Sequence, residues 1–210
     1  MSKKPASQFV CQQCNSTYSK WGGRCENCGA WNSLVEQVVN AGTNAISTSQ
    51  GRALKAQSIT EVTPSSAQGR ITTGMHDVDA VLGGGIVPAS VVLIAGQPGI
   101  GKSTVLMQIA YEVSKSRKVL YVSGEESAGQ VKVRADRLGA EHKNLYLASS
   151  TSADDIAATI AASEYEMVIV DSIQTLAMAS ISSASGSVSQ ITNSSNLLTQ
   201  AAKKTNTALV

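Results

Sequence analysis

The sequence predicts an α/β protein with a mainly parallel sheet, preceded by a small cysteine-rich module, and three observations carry that reading. After Thr60, short apolar runs alternate with amphipathic stretches, the pattern of strands and crossover helices. Between one such run and a helical stretch lies Gly96-Gln97-Pro98-Gly99-Ile100-Gly101-Lys102-Ser103. All four cysteines fall between Cys11 and Cys28, as two C-x-x-C pairs ten residues apart.

The chain has 210 residues, 42% of them apolar, enough for one sizeable core and a small satellite domain. Composition divides it into a Cys, Gly and Trp segment at 1–36, a linker at 37–60 and a main domain at 61–210. The linker is rich in Asn, Ser, Thr, Gln and Ala without a sustained apolar period, so it is expected to be flexible. In the main domain, 91–95 is a buried strand by its Val, Leu and Ile content. Residues 102–115 carry helical spacing through Val105, Ile109 and Val113. Further strands are expected at 118–123, 145–147 and 167–171. Helices are expected at 127–138, 154–163 and 188–204, the last after a Ser, Ala and Gly loop at 179–187. Met75, Val78, Val81 and Leu82 read as the packed face of a short helix. Residues 207–210 look like a strand interrupted at its start. Because such a strand is needed in the sheet interior, the chain is expected to be a fragment lacking the C-terminal part of its fold.

A formal charge of +2 does not by itself mark a nucleic-acid binder. No run approaches the roughly 18 apolar residues of a membrane span, and the N-terminus is too polar and short for a secretory signal, so a cytoplasmic protein with no membrane partner is expected.

The octapeptide fits G-x-x-x-x-G-K-[ST]. Backbone N–H groups of such a turn wrap phosphate only where side chains stay clear, and the helix that follows adds a favourable dipole. Gly96, Gln97, Pro98, Gly99, Ile100 and Gly101 form the cradle. Lys102 is expected to reach the β and γ phosphates of ATP, Ser103 to ligate Mg²⁺, and Thr104 to make a lesser contact. Hydrolysis needs a second carboxylate on the Mg²⁺ side, and Asp171 ends the apolar run Val168-Ile169-Val170. Glu125, following the strand at 118–123, is the expected base for the attacking water, with Glu126 as the runner-up.

Cys11, Cys14, Cys25 and Cys28 can bring four thiolates to tetrahedral spacing around structural Zn²⁺. A rubredoxin-like iron site and a disulfide pair are the alternatives. So small a module needs apolar area, so Trp21 and Trp31 are expected to pack over the cluster, with stacking on bases as the alternative. Lys3, Lys4, Lys20 and Arg24 outnumber Glu26 here and are expected to form a solvated surface, with a DNA-contacting face as the alternative. Lys132, Arg134 and Arg137 are likewise expected to form a solvated face, with a basic edge toward nucleotide or DNA as the alternative. His76 and His142 lack metal-ligand partners in the sequence.

Residues 70–210, through LGGGIVP, LIAGQPGIGKST, YVSGEES and VIVDSIQTL, resemble the RecA-type ATPases, and most closely the bacterial RadA (Sms) family. KaiC-like proteins share much of this pattern. The resemblance implies a RecA-like P-loop ATPase core whose catalytic Glu matches Glu125 and whose later strand ends in Asp171. Many relatives carry Gly where this chain has Ala89. The segments around Trp21-Gly22-Gly23-Arg24 and Trp31-Asn32-Ser33-Leu34-Val35-Glu36 resemble the RadA zinc module, which KaiC-like proteins are not expected to carry. The family implies DNA-stimulated ATP hydrolysis in recombination and repair, with branch migration on single-stranded DNA and recombination intermediates. It also implies a hexameric ring, and another recombinase is a candidate partner. Members continue into a Lys-Asn-Arg-Phe-Gly motif and a Lon-protease-like domain. A KaiC-like regulatory ATP-binding module and a zinc-anchored scaffold with an inactive site are the rival readings.

Overall fold

A computed structural model describes residues 6–14, 16–39, 56–61 and 69–210. The chain divides into two compact units, Met1–Val62 and Thr63–Val210. Lys3, Lys4 and most of the expected linker, residues 40–55, lie outside the described residues.

The first unit is a three-stranded antiparallel sheet in the order β2-β1-β3, formed by β1 (Ala6–Cys11), β2 (Thr17–Tyr18) and β3 (Leu34–Val39). These strands were not legible in the sequence, and β3 runs past the boundary expected at residue 36. Its small core consists of buried Cys11, Cys25 and Leu34, with Phe9, Cys14 and Tyr18 packed on them. The tryptophans do not join this core. Trp21 and Trp31 are 61% and 72% exposed, because Leu34, Phe9 and Tyr18 already fill the space over the cysteines.

The second unit begins with α1 (His76–Val81), then α2 (Lys102–Ser114), β4 (Val119–Ser123) and α3 (Ala128–Arg137). It continues through β5 (Leu145–Ser149), α4 (Ala153–Ala161), β6 (Met167–Asp171), α5 (Val188–Thr205) and β7 (Ala208–Leu209). The four strands are parallel and ordered β5-β4-β6-β7. Side chains alternate between the two faces, as the period of two in a strand requires. Val119, Tyr121, Met167, Ile169 and Ala208 pack on one face with Leu106, Ile109 and Val113 of α2 and Val131 and Ala135 of α3. Leu120, Val122, Val168 and Leu209 pack on the other with Ile156 and Ile160 of α4 and Leu198 and Ala202 of α5. A sheet covered on both faces requires apolar residues at every position, which is why β4 and β6 read as unbroken apolar runs.

Helix ends follow their capping residues. Ser127 accepts from the Gln130 amide, and the Gln130 side chain returns a bond to the Ser127 amide, a capping box that starts α3. Ser152 and Ser187 cap α4 and α5 by accepting from the Asp155 and Gln190 amides, without the return bond.

Two expectations need correction. The strand expected at 91–95 is reduced to a single parallel bridge between Val91 and Leu209, with the Val92 amide donating to the Leu209 carbonyl at 2.8 Å. β7 presents a partner only there, and no further bridge forms along 92–95 among the described residues. Val81 is 87% exposed, whereas Met75, Val78 and Leu82 pack on the core. At about 100° per residue, Met75 and Leu82 fall on one side of Val78 and Val81 about 60° to the other, off the buried arc. No helix among the described residues is long and apolar enough to cross a membrane.

Ile169 is fully buried at the centre of β6. Ile169→Ala should cost about 2–5 kcal/mol in urea unfolding, whereas Val81→Ala should change stability by less than about 0.5 kcal/mol.

Candidate active site and metal centre

The parallel pairing of β4 with β6 sets Ser123 opposite Asp171, so both strands end on the same edge of the sheet. The loops leaving them face the turn that precedes α2. Gly96, Pro98, Gly99, residues 101–104, Glu125, Glu126, Arg134, Asp171 and Gln174 border one cleft of about 670 Å³. The structure thus brings together the phosphate cradle and all three carboxylates singled out in the sequence.

Gly101, the residue before α2, has φ 103°, a left-handed conformation that only glycine adopts without strain. The first turn of α2 carries no acidic side chain, so its N-terminal amides and dipole are free to act on an anion. Lys102 Nζ donates to the carbonyls of Gly96 and Gln97, at 2.9 and 3.0 Å, which folds the lysine back over the loop. Ser103 and Thr104 stand beside it on the cleft wall.

Asp171 Oδ2 accepts from the Tyr121 hydroxyl at 2.5 Å. Burial of Tyr121, helped by the adjacent carboxylate, raises the pKa of its hydroxyl well above the usual phenol range and keeps it a donor. Glu125 Oε1 accepts from Ser172 Oγ at 2.7 Å and Gln174 Nε2 at 3.2 Å, so the two residues after β6 hold the carboxylate that follows β4. Close approach here depends on Gly124, where an added Cβ would lie 2.1 Å from Thr175 Oγ1.

The neighbouring Glu126 has a different partner. It is ion-paired with Arg134, whose other terminal nitrogen lies 3.7 Å from Asp171 Oδ2 and makes no hydrogen bond. Arg134 is only 18% exposed and borders the cleft, which corrects the expectation of a solvated residue. Lys132 does point outward, pairing with Asp136 and Glu141. The two lie about 200° apart on α3 and do not share a face. The available signal was Arg134's position three residues after buried Val131 and just before buried Ala135.

In the first unit the sulfurs of Cys11, Cys14, Cys25 and Cys28 all lie within 4.8 Å of one another. Cys11 and Cys28 are 3.6 Å apart and Cys14 and Cys25 3.5 Å, close to the roughly 3.8 Å edge of a tetrahedron with metal–sulfur bonds of about 2.3 Å. All four are free thiols, so the disulfide alternative fails. A bond with Ser16, first among several, holds Cys14 down at about 5. The Ala30 amide works to lower Cys28, but desolvation and the three neighbouring thiols outweigh it and push Cys28 up to about 12. Thiols so placed oppose each other's ionisation, and a divalent cation is what allows four thiolates together. The donor set therefore fits a closed, structural metal site.

With both sites described, comparison with known proteins places the chain. Residues 32–210 match the family model described as AAA domain, and the chain belongs to that family. Residues 9–36 match the rubredoxin metal binding domain. The chain is similar to the DNA repair protein RadA of Bacillus subtilis, 45% identical over 193 residues, 90% of this chain and 42% of that protein. RadA of Listeria monocytogenes is 40% identical, covering 98% of this chain and 45% of its own. RadA of Brucella abortus is 39% identical, with 99% and 46% covered. The chain thus spans about half the length of the curated relatives it matches. A crystal structure of the RadB recombinase aligns at a TM-score of 0.47 and 23% identity over 66% of this chain and 67% of its own, a likeness too loose to carry further inference.

Metal analysis after purification under reducing conditions should give one zinc per chain, and Cys25→Ser should abolish stoichiometric binding. Protons compete for the thiolates, so zinc should be released as the pH falls. An iron centre would show as iron in the analysis and as visible colour.

Proposed function

We propose that this chain carries the ATP-hydrolysing core of a DNA repair and recombination protein, a RecA-like motor acting on single-stranded DNA. The observation that carries this reading is the convergence of Lys102 and Ser103, at an unshielded helix N-terminus, with Asp171 and Glu125 across one cleft. The similarity to RadA supplies the biological setting.

The cradle binds ATP through the amides of residues 96–103, and Lys102 exchanges its two carbonyl partners for phosphate oxygens. Ser103 and Asp171 would hold Mg²⁺, directly or through water, and the ion would supply neutralisation of phosphate charge there. Tyr121 fixes the orientation of Asp171. Glu125, held by Ser172 and Gln174, orients the attacking water and takes its proton. Glu126 is engaged by Arg134, which supports Glu125 as the base.

In the whole protein, the family setting supports assembly as a homo-hexameric ring, a recombinase partner, cytoplasmic placement and branch migration of recombination intermediates. The four-cysteine unit supports a RadA-like rather than a KaiC-like protein.

ATP turnover of the complete protein should rise on addition of single-stranded DNA, and a rate indifferent to DNA would contradict the motor reading. Glu125→Gln should lower turnover by at least about 100-fold, while Glu126→Gln should lower it by less than about tenfold. The reverse order would reassign the base.

A further inference from the structure

Exposed tryptophan is expensive, because its ring surface buries well in any core. The first unit nevertheless leaves both of its tryptophans in solvent, Trp21 at 61% and Trp31 at 72%. They stand together: a Cβ placed on Gly23 would lie 3.9 Å from Trp31 Cζ3 and 4.0 Å from Trp21 Cη2. Position 23 therefore lies within van der Waals reach of both rings.

The backbone holds this arrangement in place. Arg24 and Trp31 face each other across an antiparallel bridge, and the Asn32 amide donates to the Gly23 carbonyl at 2.9 Å. Cys25 donates to the Ala30 carbonyl at 2.8 Å, tying the same hairpin to a metal-ligand position. The Arg24 guanidinium lies 5.8 Å from the Trp31 ring centre and donates through Nε to the Gly29 carbonyl at 3.0 Å. Arg24 and Trp31 are both exposed to solvent. Lys20, also exposed, precedes Trp21.

We propose that Trp21 and Trp31 form a stacking platform for the bases of single-stranded nucleic acid, with Arg24 and Lys20 contacting the phosphates. Aromatic rings flanked by cations match a single strand in both of its chemical parts, since every base has a π-face and every linkage a negative charge. A protein partner fits less well. A stable protein interface buries about 800 Å² on each side, and besides these two rings only Val35 and Ile59 are large hydrophobic residues exposed among the described residues of this unit. The platform rests on the reading that the whole protein works on single-stranded DNA, and gives that DNA a contact outside the ATPase unit.

The sequence contains two tryptophans, both in this platform, so intrinsic emission reports on it alone. The test titrates the zinc-loaded chain with unlabelled oligothymidylate, following tryptophan emission, and in parallel follows anisotropy of a fluorescein-labelled strand. Binding should quench the emission. Trp21→Ala with Trp31→Ala should weaken binding by at least about tenfold, and Phe at both positions should restore part of the loss. Arg24→Ala with Lys20→Ala should reduce the slope of log affinity against log salt by about 1.4, at about 0.7 per phosphate contact. Zinc content measured on each variant shows that the unit is intact. Binding by anisotropy with unchanged emission and no loss in the Ala variant would overturn the platform while leaving the DNA reading in place. Absence of binding by both methods would overturn the platform and remove support for the DNA reading as well.

Discussion

The register between β4 and β6 is the constraint on which the cleft depends. With Ser123 opposite Asp171, two parallel strands end level on one edge of the sheet, and the residues after them are forced into the same space. Two positions after Ser123 comes Glu125, and one position after Asp171 comes Ser172, whose hydroxyl reaches back to Glu125. Two positions before Ser123, on the same face of β4, Tyr121 reaches Asp171. A slip of one residue would turn Tyr121 to the opposite face and bring polar residues into a sheet buried on both sides. Core packing therefore selects the register, and the register assembles the carboxylates.

Electrostatics then separates two adjacent acids of the same chemistry. Glu125 accepts neutral hydrogen bonds from a hydroxyl and an amide, which orient a carboxylate without neutralising it. Glu126 meets the full charge of Arg134, a guanidinium half-sequestered between Glu126 and Asp171. Arg134 also brings positive charge to a cleft holding three acids, where it works alongside Lys102. The metal unit follows a different logic. Its few buried residues cannot supply a core, and four sulfurs at tetrahedral spacing supply the cross-link instead.

Much of this was legible in the sequence because the signals are local. Val168-Ile169-Val170 reads as a strand because a doubly covered sheet tolerates nothing else, and Gly101-Lys102-Ser103 reads as a phosphate turn because its backbone angle demands glycine. What escaped was set by tertiary partners. Whether Arg134 faces solvent or the cleft depends on Asp171, which is 37 positions away. The strand at 91–95 depends on how far β7 can pair with it. The tryptophans were expected to cover the cysteines, but Leu34, Phe9 and Tyr18 occupy that place, and no local pattern ranks five apolar residues for one small core.

The most direct test of the catalytic arrangement is a high-resolution structure of the complete protein with Mg²⁺ and a non-hydrolysable ATP analogue. Lys102 Nζ should have left the Gly96 and Gln97 carbonyls for the phosphates, with Ser103 Oγ on the metal and Glu125 nearest the water facing the terminal phosphate. A nucleotide bound outside this cleft, or Glu126 released from Arg134 and taking the place of Glu125, would contradict it.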